Sequence, residues 1–115
     1  MQYFYRLILI AAVAAAMPIH AQEVRASLAG TVSDPSGAPV PGVSVTLTSI
    51  ERNVSSNTST NDQGNYLFPF VVPGNYTLTI ERPGFKKYVR QSILLEAQDK
   101  ARADAQLEVG EVSQS

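Results

Sequence analysis

The chain has 115 residues, with nine basic and ten acidic side chains interspersed and a formal charge of −1 at neutral pH. That balance excludes electrostatic binding to nucleic acid. There is no cysteine, and the single histidine, His20, precedes the globular part, so disulfides, thiolate or imidazole nucleophiles and the usual zinc sites are all excluded. Arg6 opens the first segment and residues 7–16 follow as a run of Leu, Ile, Val and Ala, shorter than the ~17 residues a spanning helix needs. With Ala21 closing Ile19-His20-Ala21, residues 1–21 read as a signal peptide and Gln22 as the mature N-terminus, in preference to an uncleaved anchor. What remains has no transmembrane segment and suits one small domain. Export without cysteine points to a bacterium.

Residues 24–33 form a first predicted strand, with Leu28, Gly30 and Val32 alternating against Ser27, Ala29 and Thr31. Asp34-Pro35-Ser36-Gly37 is turn chemistry, prolonged by Pro39-Val40-Pro41-Gly42. A second strand over residues 43–49 turns Val43, Val45 and Leu47 inward and Ser44, Thr46 and Thr48 outward. Residues 53–60, almost wholly Ser, Thr and Asn, suit a loop or an exposed edge strand open to strand addition.

After the turn at Asn61-Asp62-Gln63-Gly64-Asn65 come Tyr66 and Phe68, then Val72-Pro73-Gly74-Asn75, then Tyr76, Leu78 and Ile80. This reads as a hairpin with one buried face. Tyr66 and Tyr76 therefore belong inside. Pro83-Gly84 ends that strand, Phe85 reads as a core plug, and residues 86–93 as a further strand. Ala101, Ala103, Ala105, Leu107 and Val109 alternate with Arg102, Asp104, Gln106 and Glu108, predicting a final strand over 101–109. Good helix formers over residues 94–107 allow a helix as the competing reading. Short strands at this spacing, separated by Gly and Pro, predict a β-sandwich.

Gly30-Thr31-Val32-Ser33-Asp34-Pro35-Ser36-Gly37, Pro41-Gly42-Val43-Ser44-Val45-Thr46-Leu47, the stretch from Gly64 to Ile80, and Pro83-Gly84-Phe85 together resemble the carboxypeptidase regulatory-like domain. The resemblance covers about residues 26–112. It implies an all-β fold, a single small seven-stranded transthyretin-like (prealbumin-like) Greek-key β-sandwich, over residues 22–112, with 113–115 the start of a cut-short linker. The leader, the first strand and Pro83-Gly84-Phe85-Lys86-Lys87-Tyr88 are most similar to the N-terminal module of Oar-like TonB-dependent outer-membrane receptors, in which a plug and a barrel come next.

No residue pattern supplies catalysis, cofactor or metal. The serines have only lysines or carboxylates as bases, and Asp34 and Asp62 read as turn residues rather than calcium ligands, since their spacing is not that of an EF-hand loop. The predicted function is a non-catalytic exported interaction module, in the periplasm or on the periplasmic side of the outer membrane, as the extension or a fragment of a receptor. Its partner would be a periplasmic protein or the plug and barrel of the same receptor. The alternatives are a carbohydrate-binding module, with Tyr66, Tyr76 or Tyr88 stacking on a glycan, and an accessory domain of a separate carboxypeptidase. Candidate interaction residues are Arg82, Lys86, Lys87 and Arg90 around an exposed Tyr88, a basic-aromatic patch, and Phe70, an apolar contact point out of phase with Phe68 and Val71.

Overall fold

Strict alternation along the longer strands builds the core. The structure, a computed structural model, describes residues 24–110. In it the chain forms β1 (Ala26–Ser33), β2 (Ser44–Ser49), β3 (Ser55–Ser59), β4 (Asn65–Val71), β5 (Gly74–Glu81), β6 (Tyr88–Leu95), β7 (Lys100–Arg102) and β8 (Ala105–Gln106). One sheet has the order β4-β1-β7, with β8 also pairing β1 further along; the other has the order β3-β2-β5-β6. Burial alternates residue by residue through β1, β2 and most of β5. Leu28, Val32, Val45, Leu47, Leu78 and Ile80 are thereby enclosed between the sheets, joined by Tyr66, Phe68, Tyr76, Leu95 and Leu107. Each such aliphatic side chain contributes about 1.5–3 kcal/mol over its exposed state. The fold is the predicted all-β, transthyretin-like sandwich, and residues 55–59 are an edge strand. No helix occupies residues 94–107.

Two elements depart from the sequence reading. Residues 66–80 do not make a hairpin: β4 pairs β1, whereas β5 pairs β2 and β6 in the opposite sheet. A period of two states which face a side chain occupies and not which strand lies beside it, so a hairpin and an arch between sheets share one apolar pattern. Here the chain arches over at Val72-Pro73, and the Tyr76 hydroxyl donates to the Val72 carbonyl to hold the bend.

The final strand is also interrupted, which makes eight strands instead of seven. The offset is the same at Ser27↔Lys100 and at Val32↔Ala105, so no residue is inserted. The break is chemical. Gly30 lies opposite Tyr66, and the Tyr66 ring covers it, sending its hydroxyl to the Ala103 carbonyl of the neighbouring segment. A Cβ at residue 30 would stand 2.1 Å from that carbonyl oxygen and 2.6 Å from the Tyr66 ring, so only glycine fits. With Ala103 O taken, the Thr31 N–H donates instead to Asp104 Oδ1 at 2.9 Å. Val109, predicted inward, is exposed, because it bridges Phe85 at the rim where the sheet has ended.

Candidate functional site: the two poles of the sandwich

The chain enters and leaves the domain at opposite ends. Ala26 pairs Val71 at the pole where β4 finishes, whereas Phe85, Gly84 and Lys86 receive the outgoing Val109, Gly110 and Glu108 at the other. The residues singled out by sequence divide between these poles. Phe70 stands alone on the first, 70% exposed. Arg82, Lys86, Lys87 and Tyr88 lie at the second, with Arg90 exposed farther along β6. They therefore form no single surface.

The basic patch is also less basic, and less aromatic, than its sequence suggests. Lys86 Nζ is 3.6 Å from Glu108 and Lys87 Nζ 3.3 Å from Glu81, while the Arg82 guanidinium donates to the Pro41 carbonyl. Glu108, distant in sequence, and Glu81, beside Arg82, offset the two lysines. Tyr88, expected on the surface, is half-buried and packs against the core, because it sits opposite Ile80 at the edge of the inner face. Phe85 likewise rests half-buried on the core and does not fill it.

The other candidate ligands are committed locally. Asp34 Oδ1 accepts from the Ser36 N–H, the Ser36 hydroxyl and the Ala38 N–H, and the Ser36 hydroxyl bond chiefly holds its carboxyl below the ordinary range. Asn61 Oδ1 binds the amides of Gln63 and Asn65 in the same way. Both are turn braces. Asp104 is depressed too, first by the Thr31 N–H and then by Arg102, which donates to it at 2.9 Å. The rings of Tyr66 and Tyr76 are buried, so neither offers a face to a sugar. Burial pushes the Tyr66 hydroxyl up to about 12.

At the Phe70 pole the structure opens a groove that the sequence did not reveal. It holds about 340 Å³ between the edges of β3 and β4, with Phe68 and Tyr76 at its base and Val54, Ser56, Phe70 and Val72 on its lips. Val54, Phe70 and Val72 are all exposed. The adjoining corner is braced: Glu51 accepts from both the backbone and the side chain of Asn75, the side-chain bond chiefly lowering its pKa, and Arg52 Nη2 donates to the Tyr76 hydroxyl at 2.9 Å. Val54 stands as a lone β-branched residue ahead of a polar segment, and Val72 ends the apolar run of residues 66–72. Nothing in the sequence brings them together.

The family model of the carboxypeptidase regulatory-like domain matches residues 27–108, which is the whole of both sheets apart from the first residue of β1. The chain belongs to the carboxypeptidase regulatory-like domain family. Among curated proteins, this family member is 38% identical over 82 residues to the TonB-dependent transporter Oar of Myxococcus xanthus, a match covering 70% of the chain and 8% of the transporter. The chain thus spans under a tenth of that relative's length. Among solved structures, the regulatory-like domain superposes on the Bacillus anthracis TIE protein with a TM-score of 0.64 at 17% identity, covering 76% of this chain and 17% of that one. It also superposes on the dioxygenase domain of a dioxygenase carbohydrate-binding fusion from Streptomyces sp. SirexAA-E, with a TM-score of 0.59 at 14% identity and coverage of 82% and 86%. Hydroxyquinol 1,2-dioxygenase of Pseudomonas putida gives 0.59 at 12% identity, with 78% and 58% covered. At such identities these likenesses concern the sandwich and not its chemistry.

Proposed function

We propose that this domain is a non-catalytic, exported interaction module, the N-terminal periplasmic extension, or a fragment, of a TonB-dependent receptor. The observation that carries the reading is the 38% identity to the Oar transporter across the domain itself. Two features support it. The described residues contain neither histidine nor cysteine, and the carboxylates of Asp34, Glu51 and Asp104 are engaged by backbone amides and neighbouring side chains as braces of turns and strands. Entry and exit at opposite poles also suit a module threaded between a leader and a plug domain, with the Lys86–Glu108 pole facing the plug. The leader at residues 1–21, cleavage after Ala21 and the linker at 113–115 lie outside the described residues and are part of this proposal.

Fractionation tests it. In cells of the source organism, an antibody to the domain should detect it in the periplasm or with the outer membrane, resistant to protease until the outer membrane is permeabilised. Recovery in the cytosol would overturn the export reading. Peptidase or esterase turnover that disappears on mutation of the domain's own residues would overturn the non-catalytic one.

A further inference from the structure

We propose that the free edge of β3 is a strand-addition site for an extended, uncharged partner segment with aliphatic side chains at alternate positions. The proposal rests on the interaction-module reading and specifies the chemistry of the partner.

The first observation is a contrast among edges. An unpaired edge invites further strands, and proteins guard against this with charge, proline, bulges or brevity. β4 carries Pro69 and a register shift against β1. β6 carries Arg90 and a bulge at which Ser92 takes φ 61°. The β7 and β8 edge is short, interrupted and bears Lys100 and Arg102. Among the described edge strands β3 alone has none of these: Ser-Ser-Asn-Thr-Ser, exposed, in unbroken register with β2.

The second observation gives the direction of its free groups. Ser49 N–H donates to Val54 O, and Thr60 N–H to Val43 O. Alternation in an antiparallel ladder then turns the backbone groups of Ser56 and Thr58 toward β2, and those of Ser55, Asn57 and Ser59 outward.

The third is the groove. Ser56 lies opposite the buried Leu47, so the even-numbered residues of β3 face inward, over the opening between β3 and β4. A strand added to β3 would send every second side chain into that opening, against Phe70, Val72 and Val54. Those side chains must be apolar to gain by burial, and an extended strand favours β-branched aliphatic ones there. Its alternate residues would continue the outer row of Ser55, Asn57 and Ser59, where hydroxyl and amide groups already bond across strands: Asn57 Nδ2 donates to Ser44 and Thr46, and Thr48 meets Ser55. A second copy of β3 fits less well, because its inward residues, Ser56 and Thr58, would place hydroxyls in an apolar groove. Charged segments are disfavoured for the same reason.

The probe is a short synthetic peptide alternating threonine and valine, with terminal lysines for solubility, added to the full chain and followed by amide hydrogen exchange and chemical-shift titration. Exchange of the Ser55, Asn57 and Ser59 amides should slow, with no comparable protection on β6 or β7. Asn57→Pro removes an outward N–H and keeps the backbone bonds to β2. It also loses the side-chain bonds to Ser44 and Thr46, which Asn57→Ala loses with the N–H intact, so the proline variant should bind the peptide roughly tenfold more weakly than that alanine control at a similar melt. Phe70→Ser, at an exposed lip, should weaken binding as well and keeps the test valid if the proline variant does not fold. Equal binding to Asn57→Pro and Asn57→Ala, protection on another edge, or equal binding of a peptide with glutamate in place of valine would each overturn the proposal. So would protection of the same amides by a dimer without peptide. None of these outcomes bears on receptor association, which fractionation reads separately.

Discussion

The two flanks of the sandwich are built to opposite ends. On the β7–β8 flank the sheet is stitched shut: Tyr66 crosses Gly30 to reach Ala103, Asp104 replaces a backbone acceptor for Thr31, and Arg102 clamps Asp104. On the β3 flank the strand is held only to β2, and a groove separates it from β4. The difference teaches that closure in this domain depends on side chains that bond backbone groups across strands. Where no such side chain joins β3 to β4, the strand edge stays open above a buried core.

The comparison can be broken from either side. The largest effect is expected at the base of the groove, where Tyr76→Ala removes a buried aromatic ring along with its bonds to Val72 and Arg52. A loss of about 3–5 kcal/mol should appear in denaturant unfolding. Tyr88→Ala, at a half-buried site, should cost about 1–2 kcal/mol in the same assay. A smaller cost for Tyr76 than for Tyr88 would contradict the assignment of faces.

Next is the stitched flank. Gly30→Ala places a methyl group against Ala103 O and the Tyr66 ring, and should cost about 3 kcal/mol, the upper end of the overpacking range. Tyr66→Phe keeps the ring and deletes the hydroxyl, leaving the Ala103 carbonyl short of a donor at about 1–2 kcal/mol. Its pH signature is separate. The Tyr66 pKa is raised in the fold to about 12, so between about 10, the unfolded value, and 12 the unfolded chain releases a proton that the folded chain retains. Stability must fall as pH rises through that window. The Phe variant should lack that part of the fall, and melts at increasing alkaline pH would show it.

The smallest effects belong to the basic pole. Lys86→Ala and Lys87→Ala each break one solvent-exposed ion pair and should change stability by no more than about 0.5 kcal/mol. A large loss in either would mean that the pairs with Glu108 and Glu81 hold the exit of the chain, and would make the two poles mechanically alike.

Much of this architecture was readable in advance. Val45, Leu47, Leu78 and Ile80 announced their burial by period alone, and Asp34-Pro35-Ser36-Gly37 announced its turn, because both depend on neighbours within a few residues. By composition residues 55–59 suited a loop or an edge strand, and the ladder to β2 makes them the strand. The candidate surface was not readable. Lys86 and Lys87 looked like a patch because Glu108 is remote in sequence and Glu81, though next to Arg82, meets Lys87 only through the turn at Pro83-Gly84, and Phe70 seemed isolated because Val54 joins it only across the gap between two sheets.

The sequence by itself determined the faces, the turns and the class of fold, since alternation and turn chemistry act locally on the backbone. Which strands became neighbours was decided only in three dimensions. The arch at Val72-Pro73 and the hairpin it displaced bury the same side chains, and the contacts that separate them, Tyr66 over Gly30 to Ala103 and Tyr76 back to Val72, exist only once both sheets have come together.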